Sequence, residues 1–325
     1  MTFQPATQTP TTITEKTAWL AERYWRHGLE DDLDDRLTDL FEVNDEGEMT
    51  AQPRIGALTG ESRGLMVLGR SGDGKTALLR RMLRVNPVLT EMTESQAGNT
   101  LYITVPPEAT IKKIAELILA TTGYQRVDAR LRSADAWEMV MHRLAKFGVR
   151  AMIIDECHHI FRRGAGRDVA GAIQSLKHIM QSAGGVALII AGVPSLRDDI
   201  LSEQSGETAR RFQEFSLADI QPDSMAALNF SKNFAVSAKI LGLTVPEDAE
   251  IAERILFAQH GQIGRSIALC KMILTDAIIR QRTELSLDRA ECVYRKCSRA
   301  TDMTPFHSGD WQAVRRELSA IGWGQ

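Results

Sequence analysis

A mostly parallel α/β layer followed by a small all-α domain is the fold class this sequence predicts, and three observations carry it. From Leu65 to Ala191, strand-like apolar runs alternate with helical patterns, as expected for a parallel sheet covered by helices on both faces. The first of these strands runs into a glycine-rich turn and then a helix. Past Gln221-Pro222 the strand signals stop, and helical patterns fill 224–241, 247–259, 264–282 and 287–299.

Taken in order, residues 1–14 are rich in Thr, Gln and Pro. They have neither the basic start nor the apolar stretch of a secretory signal, and a disordered leader is expected. Thr14 to His27 has helical character, with Ala18, Trp19, Tyr24 and Trp25 as its bulkier positions; residues 30–35 are almost all acidic. The polar, Gly- and Pro-containing stretch 44–64 reads as a connection. Strands are expected at Leu65–Leu68, Leu101–Val105, Ala151–Ile154 and Val186–Ala191. Between them lie helices over Lys75–Leu83, Thr110–Thr121 and Ala134–Phe147. A further one carries Val169, Ala172, Ile173, Leu176, Ile179 and Met180 on one face and stops at Gly184-Gly185. Pro246-Glu247-Asp248 is a helix-start signature. The shift in pattern sets the expected boundaries: 1–55 a leader and helical segment, 56–220 an α/β core, 221–302 a helical lid, 303–325 a tail. In the tail, Trp311, Val314, Leu318 and Ile321 fall at helical spacing. An isolated short helix is marginal in water, so this stripe needs a surface, either the chain's own lid or a partner.

Composition narrows the function classes. Hydrophobic residues make up 43% and charged residues 25% of the 325 residues, an ordinary globular balance. No apolar run approaches the ~18 residues of a membrane span. Cys157, Cys270, Cys292 and Cys297 form no C-x-x-C pair, so a reducing cytoplasm is expected. The net charge of −3 excludes a uniformly basic nucleic-acid binder; any DNA contact must come from local patches.

The chemistry begins at Gly69-Arg70-Ser71-Gly72-Asp73-Gly74-Lys75-Thr76, a full G-x-x-x-x-G-K-[ST] between a strand and a helix. Glycines let backbone N–H groups converge on phosphate oxygens. Lys75 is expected to reach the β- and γ-phosphates of ATP, and the Thr76 hydroxyl to ligate Mg²⁺; the helix that follows turns its positive end to the same place. Some 80 residues on, the apolar strand Ala151–Ile154 ends in Asp155-Glu156. Asp155 suits a Mg²⁺ contact and Glu156 suits polarising the attacking water. The continuation Cys157-His158-His159 invites two further readings. A DExH helicase would need a second domain for which the chain lacks room. A metal set is disfavoured because adjacent residues do not project together as i, i+4 ligands do, so packing around the strand end is expected.

These motifs, their spacing and the all-α segment after them resemble the AAA+ superfamily, and more narrowly the TniB and TnsC group of transposition regulators. The narrower resemblance is carried by Asp155-Glu156-Cys157-His158-His159-Ile160-Phe161, Ile190-Ala191-Gly192-Val193-Pro194, Arg210-Arg211-Phe212, Gly261-Gln262-Ile263-Gly264-Arg265 and Pro305-Phe306. It implies an ATPase that oligomerises on duplex DNA as a ring or helical filament. It further implies that the protein marks target sites and recruits a DDE-type transposase, with a target-selection protein as another partner. In that frame Arg211 or its neighbour Arg210 is the arginine finger given to the next subunit's γ-phosphate. Arg265 is the arginine that reaches the nucleotide from the lid. The family often carries Thr after the glycine ending its fourth strand; Val193 stands there and cannot donate a hydrogen bond, while Ser195 is out of register. The departure at Val193 points to hydrolysis that is slow and coupled to assembly. For DNA, Thr110, Lys112 and Lys113 open a helix where the family places pore-facing residues, and Arg162 and Arg163 stand in the loop after the acidic pair. Either cluster could touch phosphates or form a solvated surface.

Two rivals remain. An AAA+ replication loader or initiator shares both nucleotide motifs but often adds a DNA-reading domain after the lid, for which residues 303–325 are too few. A STAND-like signalling NTPase usually carries sensor repeats or an effector domain, and neither is visible in the sequence.

Overall fold

The computed structural model describes residues 9–57, 60–107, 109–124, 127–128, 130–161, 167–182, 185–203, 205–298, 300 and 302–323. The chain divides into two compact units. One holds Glu30–Ser71 and Lys75–Leu217; the other holds the residues up to Leu29, Gly72–Gly74 and those from Ala218 onward. The segment 1–55 is thus divided between them.

Helix α1 (Ile13–Glu22) belongs with the C-terminal helices. It starts on a capping box, Thr12 Oγ1 accepting from the Glu15 N–H while the Glu15 carboxylate accepts from the Thr12 N–H. It ends at Arg23, in extended backbone, short of His27. Leu20 and Trp25 are nonetheless buried. Burial of Leu20 contributes about 1.5–3 kcal/mol towards holding a ten-residue helix too short to persist alone.

The other unit opens at Glu30 within α2 (Leu29–Thr38), whose acidic first turn, Glu30, Asp31 and Asp32, suits the positive helix end. The stretch 44–64, expected as a connection, supplies the turn and second strand of an antiparallel hairpin, β1 (Phe41–Val43) with β2 (Met49–Pro53). Its turn is made by Asn44, whose Oδ1 accepts from the N–H groups of Glu46 and Glu48 at 3.1 and 2.8 Å. Then come β3 (Gly64–Leu68), α3 (Lys75–Val85), β4 (Thr100–Thr104), α4 (Ile111–Thr121), α5 (Ser133–Lys146) and β5 (Ala151–Asp155). The unit closes with α6 (Arg167–Met180), β6 (Ala187–Gly192), α7 (Ser195–Leu201) and β7 (Phe212–Ser216). The five strands are parallel in the order β4-β5-β6-β3-β7. β3, β5 and β6 are buried along their whole length, as continuous apolar runs covered on both faces must be. The chain leaves β3 for the far edge at β4, and later crosses from β6 past β3 to β7. The C-terminal end of β3 therefore lies at a switch in strand order, where open parallel sheets bind ligands.

The helical unit adds α8 (Met225–Ile240), α9 (Ile251–Ala258), α10 (Ile263–Ile279), α11 (Leu287–Ser298) and α12 (Trp311–Ala320). Its core includes Leu20, Trp25, Phe230, Phe234, Leu269 and Phe306. After Pro246 the chain makes a 3-10 turn, and Glu250 in left-handed backbone separates that turn from α9. The tail stripe docks within this unit: Trp311, Val314 and Leu318 pack on Phe257, Met303 and Trp323, while Ile321 is 65% exposed. No described helix is long and apolar enough to cross a membrane.

Candidate functional site

The site is built from the C-terminal ends of β3 and β5. β3 delivers Gly69, whose N–H donates to the Gly192 carbonyl at the end of β6. In the turn that follows, Gly72 and Gly74 take φ of 89° and 95°, left-handed values that glycine adopts without strain. Lys75 opens α3 and is buried; its Nζ donates to the carbonyls of Gly69 at 2.7 Å and Arg70 at 3.1 Å. The ammonium is thereby folded back over the loop that precedes it.

Asp155 ends β5 with 0% exposure. Its Oδ2 accepts from Thr76 Oγ1 at 2.6 Å and from the Tyr102 hydroxyl at 2.8 Å, and its Oδ1 accepts from the Glu156 N–H at 2.9 Å. A buried carboxylate is tolerated only where its oxygens find such hydrogen-bond partners. Tyr102 lies on β4, two residues before the strand partner of Asp155, so the period of two puts both side chains on one sheet face. The Arg80 guanidinium covers the Tyr102 ring at 3.4 Å. Burial, and next the Asp155 charge, push the Tyr102 phenol well above its ordinary value, so it donates rather than ionises.

Glu156 sits in left-handed backbone, φ 55° and ψ 32°, a conformation that costs a non-glycine residue about 1–2 kcal/mol. A 3-10 turn, Cys157–Ile160, follows. Cys157 points into the core, and burial pushes its thiol well up. His158 and His159 lie together, their ring centroids 4.2 Å apart. Of the set weighed in the sequence, Cys157 is turned into the core, and the two histidines converge with Glu156 instead. The left-handed residue and the tight turn bring one ligand atom each from Glu156, His158 and His159 within 4.8 Å of one another.

The tip of the loop, Gly72–Gly74, packs with the start of α10. Gln262 Nε2 donates to Asp73 Oδ1 at 2.9 Å, both residues being buried. Arg265 lies so close over Gly72 that a Cβ there would meet its Cγ and Nε at 3.0 Å. A Cβ on Gly264 would strike the Gly72 carbonyl, the Gly74 nitrogen and the Asp73 carbonyl carbon, all backbone atoms that cannot swing aside. Gly264→Ala therefore carries an overpacking penalty of about 1–3 kcal/mol, and it falls on the loop's geometry. Nucleotide affinity, followed with a fluorescent ATP analogue, is expected to drop about tenfold or more. Unchanged affinity would mean that the start of α10 does not shape the loop.

The remaining candidates fall in different surroundings. Arg210 and Arg211 lie in a 3-10 turn just before β7. Arg210 is exposed, whereas Arg211 Nη2 donates to Glu61 Oε1 at 2.7 Å, and the Gln181 amide shares that oxygen. Val193 follows β6 half-buried, and Ser195 opens α7 exposed to solvent. Thr110 caps α4, its hydroxyl accepting from the Lys113 N–H; the Lys113 ammonium pairs with Glu116 at 3.4 Å. Arg162 and Arg163 lie outside the described residues. Sequence reasoning missed Tyr102, whose signal was its place beside the Asp155 strand. It also missed a largely apolar cavity of about 190 Å³ in the helical unit, lined by residues including His27, Leu29, Ile220, Gln221 and Ile263, for which no motif exists.

A five-stranded parallel sheet with G-x-x-x-x-G-K-T after β3, Asp-Glu at the end of β5 and a helical unit after the sheet defines the AAA+ P-loop ATPase fold. The chain belongs to the bacterial TniB protein family, whose model matches residues 19–222. Among solved structures it is similar to Cdc6p from Pyrobaculum aerophilum, with 15% identity, TM-score 0.59, and coverage of 86% of this chain and 70% of that one. It is also similar to the Aeropyrum pernix ORC2 protein, solved as ADPNP–ADP complexes, with 16% identity, TM-score 0.55, and coverage of 85% and 71%. Drosophila ORC bound to DNA aligns with 13% identity and TM-score 0.50 over 99% of this chain and 78% of that one. At these identities the likeness is one of fold. No curated protein matches the sequence.

Proposed function

We propose that this chain is an ATP-dependent regulator of DNA transposition. It assembles as a homo-oligomer on duplex DNA, marks a target and recruits a DDE-type transposase, with a target-selection protein as a further partner. The observation that carries the nucleotide half is the buried Asp155 accepting the Thr76 hydroxyl across the sheet end. Membership of the TniB family supports the transposition half.

The residues fit magnesium and ATP. Lys75 and the backbone N–H groups of Arg70, Ser71, Gly72, Asp73, Gly74 and Thr76 would hold the phosphates, and Thr76 with Asp155 would hold the ion. Magnesium, when bound there, would neutralise charge on the phosphate oxygens. Tyr102 fixes the carboxylate of Asp155. Glu156 orients the attacking water and takes its proton. Arg265 is the lid residue that offsets phosphate charge. With Val193 in place of a polar side chain, turnover is slow and set by assembly.

The decisive measurement is assembly: sedimentation and micrographs with ATP and duplex DNA. ATP-dependent rings or filaments on DNA are the expected result. ATP-dependent assembly indifferent to DNA would favour a signalling NTPase instead. Loading of a second protein onto DNA, without any effect on transposase recruitment, would favour a loader.

The arginine finger acts in trans in this reading. Arg211→Ala and Arg210→Ala subunits, each mixed with Lys75→Ala subunits, should recover ATPase activity for the arginine that serves as the finger, because each partner supplies the half-site the other lacks. Co-assembly with no recovery at any ratio, for either arginine, would refute a shared site.

Phosphate contacts give DNA affinity a steep salt dependence and little sequence dependence. Lys112→Ala combined with Lys113→Ala is expected to shallow the slope of log affinity against log salt by about 0.9 per contact removed, with ATP binding spared. An unchanged slope would move the DNA surface to Arg162 and Arg163.

A further inference from the structure

Past the proposed nucleotide site, the turn after β5 holds a second set of ligands. Glu156, His158 and His159 each place one ligand atom within 4.8 Å of the others. His158 Nδ1 lies 3.4 Å from Glu156 Oε2. His159 Nδ1 is closed off from solvent and has no hydrogen-bond partner, a state that is unfavourable for a polar nitrogen. The Glu156 side chain is 36% exposed, so a cation can reach the set from solution. Asp155 stands apart from it, its carboxylate already accepting from Thr76, Tyr102 and the Glu156 N–H.

The donor types decide the class of ion. Two imidazoles and one carboxylate suit zinc and its neighbours in the first transition row, whereas magnesium takes oxygen donors and keeps its water. Zinc bonds of about 2.0–2.2 Å need ligand atoms roughly 3.3–3.5 Å apart. The ligand atoms lie within 4.8 Å of one another, so a bound ion must draw them closer. Three protein ligands leave one position open for water.

We propose that Glu156, His158 and His159 form a binding site for a zinc-class divalent cation, and that occupancy withdraws Glu156 from hydrolysis. The binding stands on the ligand set alone. The inhibition rests on the water-orienting role proposed for Glu156, because a carboxylate bonded to a metal no longer accepts a proton from water. Magnesium at Thr76 and Asp155 is untouched, so the ATP-bound form persists without turning over.

The test uses the full chain without nucleotide, titrated with zinc chloride against a chromophoric chelator, and with cobalt to read its visible absorption. One equivalent of zinc should bind, and His159→Ala should weaken it by at least about tenfold, as losing a direct ligand must when even supporting partners are worth 10–100-fold. The melting temperature of His159→Ala without zinc should match that of the wild type; if it does not, His159→Gln replaces it. ATPase activity in excess magnesium should fall with zinc in the wild type and resist zinc in the variant. Failure to bind zinc, or equal binding by both His159 variants, overturns the site. Binding lost in Cys297→Ser rather than in the His159 variants also overturns it, since Cys297 is an exposed thiol. Zinc bound at His159 with ATPase unaffected overturns the inhibition while leaving the nucleotide assignment intact. Absence of ATPase activity at any zinc level condemns that assignment instead.

Discussion

Glu156→Gln is expected to bind ATP as the wild type does and to hydrolyse it about 10²–10⁴-fold more slowly, the contribution typical of a positioned base. The amide keeps the shape and one acceptor oxygen but cannot take a proton at neutral pH. The left-handed backbone at Glu156 tolerates the change, because strain there is set by Cα and Cβ, which both residues share. Binding by fluorescence and turnover by phosphate release separate the two effects. Lys75→Ala provides the contrast, losing binding itself because the phosphates lose their buried ammonium. If Glu156→Gln turned over at the wild-type rate, the water-orienting role would be wrong whatever Lys75→Ala did.

Arg254→Leu is expected to destabilise the helical unit by about 3–5 kcal/mol, the usual consequence of breaking a buried charged network from one side. Arg254 has 0% exposure and lies on α9. Its guanidinium donates to four carbonyls, those of Ala249 at 2.9 Å, Pro305 at 2.8 Å, His307 at 3.0 Å and Gly309 at 2.9 Å. The Trp311 ring lies 4.9 Å from its centre. Burial lowers its pKa, while the charges of Glu250 and Asp310 oppose that. Leucine fills much of the space yet leaves the carbonyls facing an apolar group, each unsatisfied one costing about 1–3 kcal/mol before water or rearrangement compensates. Urea unfolding should show a lower midpoint, and proteolysis should quicken between 303 and 310, where those carbonyls lie. A midpoint within about 0.5 kcal/mol of the wild type, the range of an ordinary surface change, would rule out an anchoring role.

Much of the fold was legible because its strongest signals are local. β3, β5 and β6 are short continuous apolar runs, and a strand buried on both faces has few other ways to be written. β7 reads Phe-Gln-Glu-Phe-Ser and carries no such continuous apolar run. At the sheet edge its exposed positions admit polar residues, and Arg36, whose guanidinium donates to the Glu214 carbonyl and lies over Phe215, is far off in sequence. The phosphate loop and Asp155 were legible because spacing alone constrains them. Tyr102 was not, since a tyrosine on a strand is ordinary until its neighbour is known. The grip of Glu61 on Arg211 spans 150 residues and leaves no local trace. The convergence of Glu156 with His158 and His159 hangs on one left-handed residue that is not glycine, and sequence offers no cue for that.

Because α1 shares a core with α8–α11, the sheet-bearing unit is an insertion within the helical one. A ribosome making this chain at about 5–20 residues per second releases α1 on the order of tens of seconds before α10. Through that interval Leu20 and Trp25 have no finished surface to cover them, whereas the inserted unit can complete its sheet as soon as β7 emerges. The helical unit is thus the last to close, and closing it requires the first helix to find the last ones. Any truncation that starts at the inserted unit leaves Phe230 and Phe234 without Trp25, so the two units do not separate by cutting the chain once.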